Sequence, residues 1–115
     1  MNAGLDQSYQ RKVRDLHGRD IVFDGEDFFE DPDDWSEDIA RSMAAEAGMQ
    51  ELSQEHWQVL YFLRDYYHRN GRAPLNKHLT SGLGMSISRI QALFPGGIKY
   101  GARRLAGLPN PKSCM

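Results

Sequence analysis

The feature that most constrains this chain is the segment from Ser53 to Asn70, where apolar and aromatic residues occupy nearly every face of a predicted helix. Such a helix has no side to turn entirely towards water, so other elements must surround it. Ser53 is a suitable N-cap, and Gly71 follows the last helical residue. The segment therefore predicts a mostly helical protein built around one central helix.

Shorter elements are predicted around this centre. The predicted helices cover residues 34–47, 53–70, 74–81, 86–94 and 100–106. Asp34, Pro74 and Ser86 carry the start signals of three of them. Before the helices, two short apolar runs flank His17-Gly18-Arg19 and predict a small β-hairpin. The expected fold is a small helical bundle of about five helices with an N-terminal hairpin.

The length of 115 residues leaves room for one hydrophobic core, so residues 1–115 are predicted to form a single domain. Residues 1–11 are polar and expected to be frayed. Residues 108–115 contain Pro109 and Pro111, which favour an extended, stiffened segment. We expect this segment to be a mobile C-terminal arm.

Charge is divided unevenly along the chain. Residues 1–65 hold all 16 Asp and Glu but only six of the 14 Lys and Arg, whereas residues 66–115 carry a net charge of +8 and no acid. This division indicates a basic region that meets an anionic partner or tunes a reactive group. The acidic stretch 24–38 lacks the spacing of a calcium loop, and we interpret it as a solvated loop with aromatic anchors.

Several function classes are excluded by what the sequence lacks. One cysteine cannot form an intrachain disulfide or a thiolate zinc cluster, and the four histidines do not pair at metal-ligand spacings. His56 instead is expected to cap the central helix or to line the core. No phosphate-binding loop or Ser/His/Asp pattern is present, so no metal or organic cofactor is predicted. No apolar run reaches the ~18 residues of a membrane span, which predicts a cytoplasmic protein without membrane contact.

The single thiol, Cys114, lies near the end of the predicted arm rather than on an apolar stripe. Six residue steps from Leu108 extend about 20 Å, enough to place the thiol inside another protein's cleft. Basic residues near it would favour the reactive thiolate. The candidates for thiolate stabilisation or partner docking are Lys99, Arg103, Arg104 and Lys112. An incidental cysteine and solvated surface charges are the alternatives to these roles.

A different function is also open. Residues 74–94 have the spacing of a helix-turn-helix, with glycine in the turn and a capping serine before the second helix. Together with the basic C-terminal half, this spacing allows a DNA-binding regulator. The second helix, however, offers only Ser88, Arg89 and Gln91 as exposed polar groups, and Arg89 is its one base.

An ordered set of sequence blocks resembles the TusE/DsrC family over residues 12–115. The blocks are Asp34-Trp35, Glu46-Ala47-Gly48, the run from Glu55 to Tyr67, Ala73-Pro74, Leu93-Phe94-Pro95-Gly96-Gly97, the run from Leu105 to Pro111, and Cys114. The resemblance implies a mostly helical domain with a hairpin, a helix-turn-helix-like segment and a mobile arm. It also implies a sulfurtransferase that carries sulfur as a persulfide on the penultimate Cys114.

The resemblance further separates two branches. In the DsrC branch a second cysteine lies eleven residues before the penultimate one, and Arg103 occupies that position here. The single-cysteine pattern is that of TusE, which implies a TusBCD-like or DsrEFH-like donor complex and a tRNA 2-thiouridylase as acceptor. Contact with tRNA through that acceptor is expected, and direct contact of the basic surface with tRNA is the open alternative. A DsrC-like role in dissimilatory sulfur oxidation or sulfite reduction stays open. Ile98 and Lys77 depart from the usual family residues, proline and arginine.

Overall fold

A computed structural model describes residues 11–110. Its first elements are strands β1 (Lys12–Leu16) and β2 (Arg19–Phe23), which pair in antiparallel register. His17 and Gly18 both adopt positive φ angles, 52° and 79°, as the two central residues of a tight hairpin turn must. The predicted hairpin is therefore confirmed.

Five α-helices follow, as predicted. They are α1 (Glu37–Glu46), α2 (Gln54–Asn70), α3 (Asn76–Leu83), α4 (Ile87–Leu93) and α5 (Arg103–Leu105). A short 3-10 turn, Pro32–Asp34, precedes α1, and a π-helical turn, Ile98–Ala102, runs directly into α5. None of the helices within residues 11–110 has the length and apolar character needed to cross a membrane.

Helix α2 is the centre of the bundle. It contacts α3, α4 and α5, and its residues Val59, Leu60 and Leu63 are fully buried. Its start is a capping box in which Ser53 Oγ accepts from the His56 backbone N–H and the His56 ring accepts from the Ser53 backbone N–H. The other ring nitrogen of His56, Nε2, lies 2.7 Å from Leu93 O at the end of α4. His56 thus both caps the helix and joins it to α4.

The predicted start of α1 at Asp34 is wrong. Asp34 ends the 3-10 turn, which Asp31 caps by accepting from the Asp33 backbone N–H. Ser36 is the true cap of α1, since its Oγ accepts from the Ile39 backbone N–H at 3.2 Å. A serine followed by two acids is an equally good start signal for a helix. Because α1 starts after Ser36, Trp35 stays extended between the 3-10 turn and α1.

The predicted limits of α3 are also shifted. The helix begins at Asn76 rather than Pro74. Leu75 is its extended N-cap residue, and Pro74 is buried before it. Gly82 lies inside the helix instead of breaking it, and a Cβ added there would overlap the Phe62 ring of α2. The glycine therefore permits close approach of the two helices. Gly84, with φ of 68°, ends α3.

Candidate functional site

Cys114 and Lys112 lie outside the described residues. The structure shows the chain that leads to them as far as Asn110. We call residues 105–110 the arm root, because the predicted arm continues from there. Leu105, Ala106, Gly107 and Leu108 are buried, and Pro109 and Asn110 are half-buried. The described part of the site is therefore a fixed base, and mobility of the arm beyond it stays a prediction.

Two side chains hold the start of the arm root. Trp35 Nε1 donates to Leu105 O at 2.6 Å, and Arg64 Nη1 donates to Ala106 O at 2.9 Å. The Arg64 guanidinium also lies over the Trp35 ring, 4.3 Å from its centroid, and donates through Nη2 to Pro32 O. These contacts satisfy the carbonyls at the end of α5, which have no partner inside the helix.

Arg64 keeps its positive charge although it is half-buried. Desolvation lowers the pKa of its guanidinium, while the nearby Asp33 carboxylate raises it. The ordinary pKa of arginine lies so far above neutral that the group stays protonated. Arg64 therefore acts as a charged donor to two backbone carbonyls, which makes these hydrogen bonds stronger than neutral ones.

The other end of the arm root is fixed by Asp24, in the loop after β2. Its Oδ2 accepts from Asn110 Nδ2 at 3.1 Å. Its Oδ1 accepts from the backbone N–H groups of Glu26 and Phe28, at 2.8 and 3.0 Å. One carboxylate thus orders its own loop and holds the last described residue, so the arm leaves the body from a defined point.

We expect Trp35→Phe to destabilise the fold by about 2 kcal/mol, because the Leu105 carbonyl loses its donor and stays buried. Trp57→Phe is the matched control. Trp57 is also half-buried and lies under an arginine, Arg41, yet its indole has no hydrogen-bond partner within residues 11–110. Trp57→Phe should lower the free energy of unfolding by about 1 kcal/mol or less. Urea unfolding measures both free energies, and equal losses would contradict an anchoring role of Trp35.

A groove of about 540 Å³ opens beside the arm root. We call it the arm-root groove. Its walls are the C-terminal end of α2, the loop 71–75, His78 in the first turn of α3, Arg103 of α5, and residues 108–110. Arg103 ties two of these walls together, because its Nη2 donates to Pro74 O at 3.0 Å. The segment leading to the thiol therefore borders the groove.

Arg103 is half-buried in that wall. Desolvation lowers the pKa of its guanidinium, but the group remains protonated at neutral pH. Its Nε is buried and has no hydrogen-bond partner among residues 11–110. Of the candidate bases Lys99, Arg103 and Arg104, Arg103 is therefore the one that lines the groove beside the arm root.

Arg104 and Lys99 are placed elsewhere. Both lie over the Tyr100 ring, with their charged groups 4.7 and 5.0 Å from its centroid. Arg104 also donates to Glu26 O and stacks on Phe28. The structure therefore groups these two bases around Tyr100, while Arg103 lines the arm-root groove. Their role towards the thiol stays a prediction.

The helix-turn-helix-like pair α3 and α4 is present, but its one candidate recognition base is engaged. Arg89 pairs with Glu55 of α2, so α4 serves as a packing partner of the central helix. Within residues 11–110, no three His, Cys, Asp or Glu side chains are grouped closely enough to hold a metal ion. Within the described part of the chain, the one base of the candidate recognition helix is therefore paired with a carboxylate of α2.

The residues that fix the arm root were not identified from the sequence as site residues. Trp35 and Asp24 belong to the acidic stretch that we interpreted as a loop with aromatic anchors, and Asn110 belongs to the predicted arm. One signal was available for Arg64. It directly follows the apolar and aromatic run 59–63, and a charged side chain so close to buried residues must find a partner when its face is covered.

Comparisons with known proteins place these features in a family. The model of the family described as "DsrC like protein" matches residues 15–115. The gamma subunit of dissimilatory-type sulfite reductase from Nitratidesulfovibrio vulgaris is 33% identical over 98 residues, which cover 85% of this chain and 93% of that protein. Sulfurtransferase TusE from Escherichia coli is 31% identical over 107 residues, which cover 87% and 97%.

Solved structures give the same fold. The crystal structure of the oxidised gamma subunit of dissimilatory sulfite reductase, DsrC, from Archaeoglobus fulgidus superimposes with a TM-score of 0.79 at 29% identity. It covers 90% of this chain, and the whole of that chain is matched. The structure of dissimilatory sulfite reductase I superimposes with a TM-score of 0.82 at 33% identity, with the same coverage. The expected architecture is thereby confirmed.

Proposed function

The chain belongs to the DsrC-like family, whose relatives include sulfurtransferases, and from this premise we propose that it carries sulfur as a persulfide on Cys114. The proposed pathway is synthesis of the wobble 2-thiouridine of tRNA, in the cytoplasm. A TusBCD-like or DsrEFH-like complex would be the donor and a tRNA 2-thiouridylase the acceptor, with tRNA contacted only through that acceptor. No cofactor is required for the chemistry below.

The proposed reaction consists of two sulfur exchanges. The Cys114 thiolate attacks the outer sulfur of a donor cysteine persulfide, so that a new sulfur–sulfur bond forms while the donor's bond breaks and the donor leaves as a thiolate. An acceptor thiolate then attacks the outer sulfur of the Cys114 persulfide and releases the Cys114 thiolate. The two steps return Cys114 to its starting state without an external oxidant or reductant.

The observation that carries the proposal is that the sequence has a single thiol and has an arginine, Arg103, at the position of the second DsrC cysteine. Cys114 is the single cysteine of the sequence, and Arg103 stands where the family resemblance places the second cysteine of DsrC. A lone thiol accepts and passes on a sulfur but cannot release it by forming an internal disulfide. This limitation favours a TusE-type relay between two other proteins.

The arm root supports the same proposal mechanically. Trp35, Arg64 and Asp24 hold residues 105–110 against the body. From Asn110 to Cys114 there are four residue steps, which span at most about 14 Å. A fixed base followed by a short reach suits a carrier that presents its thiol to two partners in turn.

The direct test is intact-mass measurement of the full chain after incubation with a persulfide-charged donor complex. We expect a gain of about 32 Da, one sulfur atom, that dithiothreitol removes. If the donor complex is charged with isotopically labelled sulfur, the label should then pass from Cys114 to a tRNA 2-thiouridylase and into tRNA. A chain that gains no reducible sulfur would contradict the carrier proposal.

The second candidate is a carrier in dissimilatory sulfur metabolism. It is favoured by the 33% identity to a sulfite reductase gamma subunit, which is as high as the identity to TusE proteins. The same labelled protein distinguishes the two pathways, because a dissimilatory sulfite reductase rather than a tRNA 2-thiouridylase would then be its binding partner. Transfer of label to tRNA would exclude this candidate as the main role.

A further inference from the structure

The arm-root groove has a charge pattern that the proposed chemistry does not explain. Arg72, His78 and Arg103 line it, and no Asp or Glu is among its lining residues. Arg72 is exposed and forms no salt bridge with any residue in the range 11–110. The groove therefore attracts an anionic group, and no carboxylate of its own walls competes for that group.

Other bases of the C-terminal half differ in this respect. Arg69 pairs with Asp65 one turn away on α2, and Arg89 pairs with Glu55. Arg104 is engaged by a backbone carbonyl and two aromatic rings. Arg72 of the groove, in contrast, has neither a salt bridge nor a side-chain hydrogen bond with any residue in the range 11–110, whereas Arg103 gives one donor, Nη2, to Pro74 O.

The groove also offers apolar contact. Leu75, at the N-cap of α3, is 61% exposed and lines the groove, so its side chain is accessible to a ligand there. Pro109 also lines the groove and is half-buried. A ligand that fills this space therefore needs both a negative group and an apolar group close together.

This combination favours a peptide over a nucleic acid. Binding along a phosphate backbone uses several bases spread over an extended face, whereas this groove places two arginines in one half-enclosed space. Arginine holds a carboxylate in a fork of two hydrogen bonds, and the exposed leucine suits an apolar side chain next to it. A short acidic segment with an apolar residue satisfies both requirements.

We propose that the arm-root groove docks an acidic, partly apolar segment of the protein that exchanges sulfur with Cys114. The inference rests on the proposed function and names the docking surface of that site. Asn110 lines the groove and stands four residues before Cys114, so the Cys114 thiol stays within about 14 Å of Asn110 while a partner is docked there. Docking raises the effective concentration of the partner's cysteine at the thiol.

The test is an NMR titration of the full chain carrying Cys114→Ser, with a terminally blocked pentapeptide of alternating glutamate and leucine as the probe. We expect shifts at the backbone amides of residues 72, 73, 75–78, 108 and 110. The same peptide with glutamine in place of glutamate should bind at least about five-fold more weakly. Because Cys114 is absent from this variant, failure of the persulfide chemistry does not alter the result.

Two variants sharpen the test. Arg72→Gln should weaken binding of the acidic peptide about five-fold or more, whereas Arg69→Gln, the same charge change outside the groove, should weaken it less than about two-fold. Equal effects of the two variants would reduce the interaction to general charge attraction and overturn the proposal. Shifts confined to other surfaces would also overturn it.

Two alternative occupants give distinct outcomes. A uridine pentanucleotide that shifts the same groove amides and binds more tightly than the peptide would show a nucleic-acid surface and contradict the proposal. Nuclear Overhauser contacts from residues 111–115 to the groove that the peptide does not displace would show instead that the chain's own tail fills it, and the proposal would then be wrong.

Discussion

Replacing Cys114 by serine is expected to abolish sulfur acceptance, so that the intact mass stays unchanged after incubation with a persulfide-charged donor. Serine removes the one sulfur of the sequence that can become a thiolate, and its hydroxyl neither ionises at neutral pH nor forms a persulfide. We expect loading to fall at least about a hundredfold, to the background of the measurement. Delivery of label to any acceptor should fall with it.

A displaced thiol provides the matched control for Cys114→Ser. The double variant Ser113→Cys with Cys114→Ser retains one thiol, one residue closer to the arm root. It should still accept sulfur from a small polysulfide, because that exchange needs only an accessible thiolate. Transfer to a protein acceptor should drop about tenfold, since the thiol is misplaced in the acceptor's cleft.

Two outcomes would contradict the role of Cys114. Cys114→Ser protein that gains about 32 Da would show that sulfur is held elsewhere on the chain. Unchanged delivery by the displaced thiol would show that its position on the arm is unimportant. Circular dichroism of the variants checks that residues 11–110, which contain the described core, remain folded.

The parts of the fold that could be predicted depend on short-range signals. The hairpin follows from a two-residue turn, and α2 and α4 follow from serine caps and from glycine or proline after them. These signals act over three or four residues, so they indicate the same secondary structure whatever the tertiary packing around them. The role of Cys114 rests on the sequence in the same way, as the single cysteine of a segment that two prolines keep from being helical throughout, and it stays a prediction.

The parts that could not be predicted depend on distant partners. Two local start signals compete for α1, at Asp34 and at Ser36, and the choice between them depends on Trp35, whose indole bonds to Leu105, 70 positions away. Asn110 is held by Asp24, which lies 86 positions earlier. The π-helical turn before α5 is another case, because its Gly101 packs against Pro95 and Phe94 too closely for any side chain. No local pattern indicates such contacts.

The charge division along the sequence is reduced in the folded protein. Acids of the first half meet bases of the second across the structure, as Glu55 does with Arg89. What remains distinct is the groove lined by Arg72 and Arg103, where the acids are missing. The groove is thus one local basic surface beside the arm root, separate from Lys99 and Arg104 around Tyr100.

The largest expected effect on stability is that of Gly107→Ala, in the arm root. Gly107 has a φ angle of 73°, in the left-handed region that favours glycine. An added Cβ would also lie 2.5 to 2.7 Å from three side-chain atoms of Trp35, well inside contact distance. Trp35 cannot withdraw without giving up its hydrogen bond to Leu105 O. Both backbone and packing therefore oppose the alanine.

The expected cost is about 3 to 5 kcal/mol, of which about 1 to 2 kcal/mol is backbone strain and the rest is overpacking and the weakened Trp35 anchor. Gly71→Ala separates these contributions, because Gly71 has a φ of 74° and nothing lies within 4 Å of an added Cβ. Its free energy of unfolding should fall only by the backbone strain, about 1 to 2 kcal/mol. Urea unfolding of both variants gives the difference directly. Equal losses would mean that the contact between Gly107 and Trp35 does not constrain the arm root, whereas a larger loss for Gly107→Ala together with slower sulfur delivery would link that contact to the presentation of Cys114.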